Sequence, residues 1–225
     1  MLWVEILQFW LNATIPGARL DNDAKVVPMN QTVIVFCKQP QPGHVKTRLA
    51  AQVGDIEAAD IALNLARRTI DACLNLGVRV EVWQTPPLHD TFATPGIDAI
   101  RLQRKGDLGQ RMGYAIDETL KRCSSVVLMG TDCPGIDSTY VLQAFARLED
   151  FDAVVSPAED GGFGLIGMRR YPEGFFSGIE WSTPEVYRKV CDRLDLYFEQ
   201  WGRLPLLWDV DRPFDLLRYE VLGEG

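Results

Sequence analysis

Lys46, Thr47 and Arg48 occupy three consecutive positions in a loop that opens with Pro40, Pro42 and Gly43, and Lys38 stands just before it. Cations beside a glycine suit an anionic ligand. The glycine lets backbone approach closely, and the cations meet phosphate charge. Carboxylates recur further along in turn-like settings. Asp132 lies in Gly130-Thr131-Asp132-Cys133-Pro134, Asp160 precedes Gly161 and Gly162, and Asp209 and Asp211 flank Val210. Carboxylates converging with phosphate oxygens are the donors that a hard divalent cation such as Mg²⁺ selects. Each group also has a plainer reading. Asp132 is equally a helix cap, and Asp160-Gly161-Gly162 reads locally as a turn. Asp209-Val210-Asp211 is a solvated turn unless the strand before it continues, which would put both carboxylates on one face. Gly106-Asp107-Leu108-Gly109 can start a helix without touching a ligand, Arg111 can pair on the surface, and Trp181 reads as packing. His44 and His89 are isolated, and no Ser-His-Asp or Cys-His set stands out.

Two familiar phosphate motifs fail. The stretch Gly43–Thr47 ends like a phosphate-cradling loop but has Val45 where that loop needs glycine. Gly162, Gly164 and Gly167 spell G-x-G-x-x-G, yet the following MRRYPEG contains Pro172 and opens no helix.

The elements that must position these groups alternate along the chain. Val33–Phe36 is apolar, β-branched and aromatic, and reads as a buried strand ended by the Pro/Gly loop. From Gly54 to Leu76, the residues Ala59, Leu63, Ala66, Ile70 and Cys73 form one helical stripe, with Gly77 as the stop. Val78–Trp83 alternates apolar and polar residues, as a half-exposed strand does. Residues 97–102 form a weaker strand, and a helix follows Asp107. Ser125–Met129, Asp152–Ser156 and Phe163–Met168 read as strands. Asp137 or Ser138 caps a helix to Leu148, Ser182 or Thr183 with Pro184 starts another to Phe198, and Pro213 opens the last. Leu204–Trp208 is the final strand. The alternation predicts a three-layer α/β domain with a largely parallel sheet. In such a sheet the C-terminal strand ends share one edge, where ligands bind.

With 225 residues, 47% of them hydrophobic, the chain can bury one substantial core. A net charge of −8 argues against a nucleic-acid binder while leaving room for a nucleotide in a local basic pocket. Five cysteines without a CxxC pair point to reduced thiols in the cytoplasm, and Cys37 and Cys73 fall in apolar patterns. Residues 1–30 differ from the rest. Trp3, Leu7 and Trp10 share a helical face, the run is too short to span a bilayer, and a polar linker follows. We expect an N-terminal extension over 1–30 and a catalytic-type domain over 31–225.

Taken together, FCKQPQPGHVKTRL, GDLGQRM, GTDCPGI, SPAEDGGFGLIG, IEWST and DVDRPFDL resemble, in order and from Val33 to Leu217, the DUF2064 family of small GT-A-like transferases. Its members are often labelled arsenosugar-biosynthesis or radical-SAM-associated glycosyltransferases. The family is similar to the wider nucleotide-diphospho-sugar transferase superfamily, which includes molybdenum-cofactor and phospholactate guanylyltransferases. The resemblance implies a Rossmann-like mixed, mostly parallel sheet, a bound nucleotide and Mg²⁺ or Mn²⁺. It implies that the loop of Gly43, Lys46, Thr47 and Arg48 holds phosphates with Lys38 nearby. It puts Gly106, Asp107, Leu108 and Gly109 against the base or ribose, Asp132 and Asp211 on the metal, and Asp160 with Gly161 and Gly162 toward the acceptor or sugar. Cys37 and Phe163 depart from the alanine and tyrosine common at their positions. The expected reaction is metal-dependent transfer of a sugar from a nucleotide-sugar to a small-molecule acceptor. Nucleotidyl transfer from a nucleoside triphosphate to a phosphorylated small molecule is the alternative, and a non-catalytic nucleotide-binding domain the third.

Overall fold

The structure, a computed structural model, describes residues 18–20, 26–28 and 30–223. The expected N-terminal amphipathic helix lies outside the described residues. Within the expected linker, β1 (Ala18–Leu20) and β2 (Val26–Pro28) pair antiparallel in a small sheet of their own.

β3 (Gln31–Cys37) is the centre of the main sheet, and its six residues after Gln31 are all buried. A strand hydrophobic on both faces must be covered on both. α1 (Thr47–Val53) and α2 (Asp55–Cys73) follow, then β4 (Arg79–Gln84), β5 (Ala99–Leu102), α3 (Leu108–Leu120) and β6 (Ser125–Met129). The chain continues through α4 (Ser138–Asp150), β7 (Ala153–Pro157), β8 (Phe163–Met168), α5 (Val186–Tyr197), β9 (Gly202–Arg203) and α6 (Pro213–Gly223). The seven strands run in the order β5-β4-β3-β6-β8-β7-β9. Pairing is parallel from β5 through β6 and between β7 and β9, while β8 runs antiparallel to both of its neighbours. Helices α2 and α4 cover one face through Ala66, Ile70, Val141 and Phe145, packed on Val33, Val35 and Val127. Helices α3 and α5 cover the other through Met112, Ile116, Val190 and Leu194, packed on Ile34, Leu128 and Ile166. The three layers are those the alternation predicts.

Several expectations change in detail. α2 ends at Cys73, short of Gly77, because Leu74 turns extended and packs against the core with Leu76. β4 is not half-exposed. Residues 80–84 are buried, and Glu81 at 0% exposure is held by Arg101 Nε at 2.8 Å and Arg122 Nη2 at 2.9 Å. α5 starts at Val186 rather than behind Pro184, since Ser182 takes a left-handed φ of 64° and breaks the helical path. The final strand is Gly202–Arg203, and Leu207 makes only an isolated bridge to Ala158. Of the three glycines, Gly162 lies in the turn before β8, and the strand-borne Gly164 and Gly167 are packing glycines. A Cβ on Gly164 would sit 2.6 Å from Leu207 Cδ1. The five cysteines are free, with Cys37 and Cys73 in the core. No helix among the described residues is long and apolar enough to cross a membrane.

Candidate active site

Strand order reverses between β3 and β6. From β3 the chain moves outward to β4 and β5, then returns to place β6 on the other flank. The loops leaving the C-terminal ends of two such strands diverge and open a crevice, where ligands of open α/β sheets bind. Here the β3 loop brings Lys46 at its end, Thr47 and Arg48 follow in the first turn of α1 rather than in the loop, and the β6 loop brings Asp132.

Lys46 caps the start of α1 with φ 46° and ψ 44°, a left-handed backbone that a residue with a Cβ rarely adopts. That conformation turns its side chain inward. The ammonium donates to Asp132 Oδ1 and, at 2.7 Å, to the carbonyl of Val210. The Lys46 side chain is 5% exposed, whereas that of Asp132 is 61% exposed. Val210 N–H donates to the Asp132 carbonyl at 2.9 Å, which fastens the 209–211 segment to the β6 loop. One residue on, Arg48 Nη1 donates to Asp211 Oδ2 at 2.7 Å. The sequence-predicted cations and carboxylates therefore meet in pairs: Lys46 with Asp132, Arg48 with Asp211.

Asp209 is a member that the expected ligand set omitted. Its pKa is pushed up to about 6, first by burial and then by repulsion from Asp160, Asp211 and Asp132. Four carboxylates thus share one field. Val210 points into the core at 0% exposure, so the two flanking aspartates face away from it together. The sequence already sets Asp209 beside Asp211 by that alternation, and its burial is what the structure adds.

Asp160 lies in a tight turn, as the local reading has it. Its Oδ1 accepts Gly162 N–H at 2.8 Å, and Gly161 N–H donates to the Ala158 carbonyl at 3.0 Å. Gly161 has φ +87°, and a Cβ there would meet the Pro184 carbonyl oxygen at 2.3 Å. Tyr187 N–H donates to the Gly161 carbonyl at 2.8 Å. The turn is thus seated directly on the residues between Trp181 and α5. Trp181 in turn packs on Phe163 and Phe176 and under Gly109, whose Cβ would lie 2.5 Å from the indole. Packing is its role, and its buried Nε1 finds no partner.

The remaining candidates are placed as follows. Asp107 caps α3, accepting Gln110 N–H at 2.9 Å while Gln110 Oε1 accepts Asp107 N–H at 3.1 Å. Gly106 and Gly109 serve the same helix start, Gly106 with φ +132° beside Gln110 and Gly109 buried. Leu108 packs against the α3 face of the core. Arg111 anchors Gln103 at 2.7 Å, and Gln103 Nε2 ties the β3 and β4 ends through the carbonyls of Cys37 and Trp83. Thr47, Lys38, Gly43 and His44 are exposed at the mouth, with Gly43 at φ +79°. Asp132 is not the helix cap. Asp137 caps α4, accepting Tyr140 N–H at 2.7 Å.

With this geometry in view, the chain can be set beside known proteins. The family DUF2064, described as an uncharacterized protein conserved in bacteria, matches residues 69–183. The chain belongs to that family. The matched segment spans the α3 start, the β6 loop, the Asp160 turn and Trp181, and the β3 loop and Asp209–Asp211 lie outside it. Among solved structures, a protein of Desulfovibrio desulfuricans G20, provisionally named a nucleotide-diphospho-sugar transferase, is 29% identical with a TM-score of 0.78, covering 83% of this chain and 84% of its own. Rv0371c of Mycobacterium tuberculosis H37Rv in complex with manganese is 16% identical with a TM-score of 0.51, covering 84% and 97%. The 4-diphosphocytidyl-2C-methyl-D-erythritol synthase of Anaerococcus prevotii is 5% identical with a TM-score of 0.57, covering 87% and 97%. The fold of this DUF2064 member is that of the nucleotide-diphospho-sugar transferases and nucleotidyltransferases. No curated protein matches its sequence.

The donor set fits a hard divalent cation. It is oxygen-only, and the repulsion among carboxylates that adds to burial in raising Asp209 is what such a cation relieves. Among the described residues no three acidic, cysteine or histidine side chains form a ready cage.

Proposed function

We propose that this DUF2064 chain is a metal-dependent glycosyltransferase that moves a sugar from a nucleotide-sugar to a small-molecule acceptor. One observation carries the reading. At the crevice where strand order reverses, two cations sit directly on two carboxylates, the polarity that a metal–diphosphate needs at its two ends. The names of the Desulfovibrio and Rv0371c structures, the first a sugar-nucleotide transferase and the second a manganese complex, support the substrate class and the metal. Asp132 and Asp211 would hold the metal, with Asp209 beside them. When bound it would neutralise diphosphate charge and polarise the leaving phosphate.

The chain's own groups do the rest. Lys46 and Arg48 donate to phosphate oxygens and stabilise the charge that grows on the departing nucleoside diphosphate. Lys38, Gly43 and Thr47 border that position on the same segment. The Gly106–Gly109 segment, rigid through its capping box, offers a fixed wall to the base or ribose. Asp160 serves as general base for the acceptor hydroxyl. The Gly162 N–H fixes one carboxylate oxygen and leaves the other for that proton. Nucleotidyl transfer is the second reading, favoured by the fold shared with the Anaerococcus synthase. The same cations would then hold a triphosphate, an acceptor phosphate would attack the α-phosphorus, and pyrophosphate would leave.

A thermal-shift screen with nucleoside diphosphates, nucleotide-sugars and triphosphates, each with and without Mg²⁺ or Mn²⁺, tests these readings. Metal-dependent stabilisation by a nucleoside diphosphate or its sugar, followed by release of that diphosphate when acceptors are added, is the expected result. Response to triphosphates alone would replace glycosyl with nucleotidyl transfer. Binding without turnover of any donor would reduce the protein to a nucleotide-binding domain.

A further inference from the structure

Lys46 is tied more tightly than a phosphate-binding lysine needs to be. Its ammonium is held between two oxygens, the Asp132 carboxylate and the Val210 carbonyl, on a side chain that is 5% exposed. Its backbone is in the left-handed region, a conformation that persists only where the surroundings impose it. An oxygen pair closing on a cation is also the beginning of a metal site. Resting on the metal reading above, we propose that Lys46 is the resident counter-cation of the carboxylate cluster, mutually exclusive with the divalent cation at Asp132, and that it is handed to the ligand's phosphate when metal and diphosphate load together.

An ammonium and a divalent cation on one carboxylate repel each other, so metal alone must displace Lys46 from Asp132. The remaining carboxylates of the cluster are those the metal also draws on, so the displaced ammonium is left without an anion of its own, which is costly for a side chain this enclosed. A diphosphate supplies that anion. Metal and diphosphate must therefore bind with positive coupling, and the coupling is reciprocal. Arg48 differs. Its side chain is 65% exposed and can leave Asp211 for water at little cost, so the coupling rests on Lys46.

Manganese binding, read from the electron paramagnetic resonance of the free aqua ion, tests this. The proteins are the wild type, Lys46→Met and Lys46→Arg, with and without inorganic pyrophosphate, against protein-free blanks for manganese–pyrophosphate complexes. We expect the wild type to bind manganese weakly alone and roughly tenfold tighter with pyrophosphate, within the usual span of coupling between sites. Lys46→Met should bind manganese alone about tenfold tighter than the wild type, with pyrophosphate adding clearly less than it adds to the wild type. Lys46→Arg keeps the charge and should keep the weak binding. Equal manganese affinity of wild type and Lys46→Met would overturn the proposal, as would absence of coupling in the wild type, which needs no variant. Failure of manganese to bind any of the three, pyrophosphate included, would overturn the metal reading itself.

Discussion

Asp132 and Asp137 stand five residues apart in the loop after β6, and sequence alone offers both as caps for α4. The structure separates them. Asp137 takes Tyr140 N–H, and Asp132 takes Lys46. Asp137→Ala should cost about 1 kcal/mol, the usual worth of such a cap. In a chain this long that lowers Tm by about 2–4 °C, with the metal-dependent nucleotide response unchanged. Asp132→Asn should do the reverse. An amide oxygen still accepts from Lys46, so the fold holds, but the lost charge should weaken nucleotide binding in the presence of Mg²⁺ by about tenfold or more. Matched titrations and melts of the two variants decide it, and equal losses in Tm and binding for Asp132→Asn would return that residue to a structural role. Arg48→Ala removes an exposed cation from the mouth. It should weaken a nucleoside diphosphate by roughly tenfold and leave the free nucleoside unaffected, as calorimetry would measure. Equal weakening of both would place Arg48 at the base instead.

At the scale of elements, β4 shows what a local pattern conceals. VRVEVW alternates, and alternation speaks for one wet face, yet Glu81 is fully buried. Its partners, Arg101 on β5 and Arg122 after α3, lie 20 and 41 residues away in sequence, and no local rule joins them. Trp83 Nε1 also donates to it at 3.1 Å. Glu81→Gln should destabilise the protein by about 1–3 kcal/mol, because two guanidinium groups lose their charged acceptor while remaining partly solvated. Glu81 sits mid-strand, three residues before the C-terminal end of β4, so the nucleotide response should survive. Thermal melts and ligand titrations on one sample check both halves. A lost ligand response at unchanged Tm would mean that Glu81 serves the site. The direction of β8 was, by contrast, available from the sequence. Five residues link Pro157 to Phe163, too few for a crossover, so the pair had to be antiparallel. That hairpin is what aims the Asp160 turn at the crevice. The helix stripes, the strand cores and the Asp137 cap were legible because they depend on neighbours a few positions away, whereas the expected cap at Ser182 or Thr183 was not borne out. The seating of Gly161 on Pro184 and of Gly109 on Trp181 was not legible, since each is set by packing between distant segments.

For the whole molecule, the excess of acid is not spread evenly in its consequences. Asp132, Asp160, Asp209 and Asp211 come from three separate loops to one sheet edge, and the two cations that follow β3 answer two of them. That convergence could be anticipated from strand ends alone, because a largely parallel sheet collects them on one side. Which carboxylate meets which cation could not, because it depends on the left-handed backbone of Lys46. We propose that the domain begins near Met29. The Asn30 carbonyl accepts Ser124 N–H at 2.7 Å and Ser124 Oγ at 2.8 Å, and Gln31 is the first residue of β3 in register with Ser125. β1 and β2 pair with each other in a sheet separate from the seven strands. A chain beginning at Met29 keeps the Asn30 bonds and the whole ladder between β3 and β6, and one beginning at Val33 loses the Asn30 bonds and the first two rungs of that ladder. We expect the Met29 chain to melt cooperatively within a few degrees of the full-length protein and to respond equally to nucleotide with Mg²⁺. The Val33 chain should lose several degrees, at about 2–4 °C for each kcal/mol in a domain of this size. Calorimetric scans of the three chains measure this directly. A Met29 chain that is insoluble or melts without cooperativity would make the first 28 residues part of the fold rather than an extension of it.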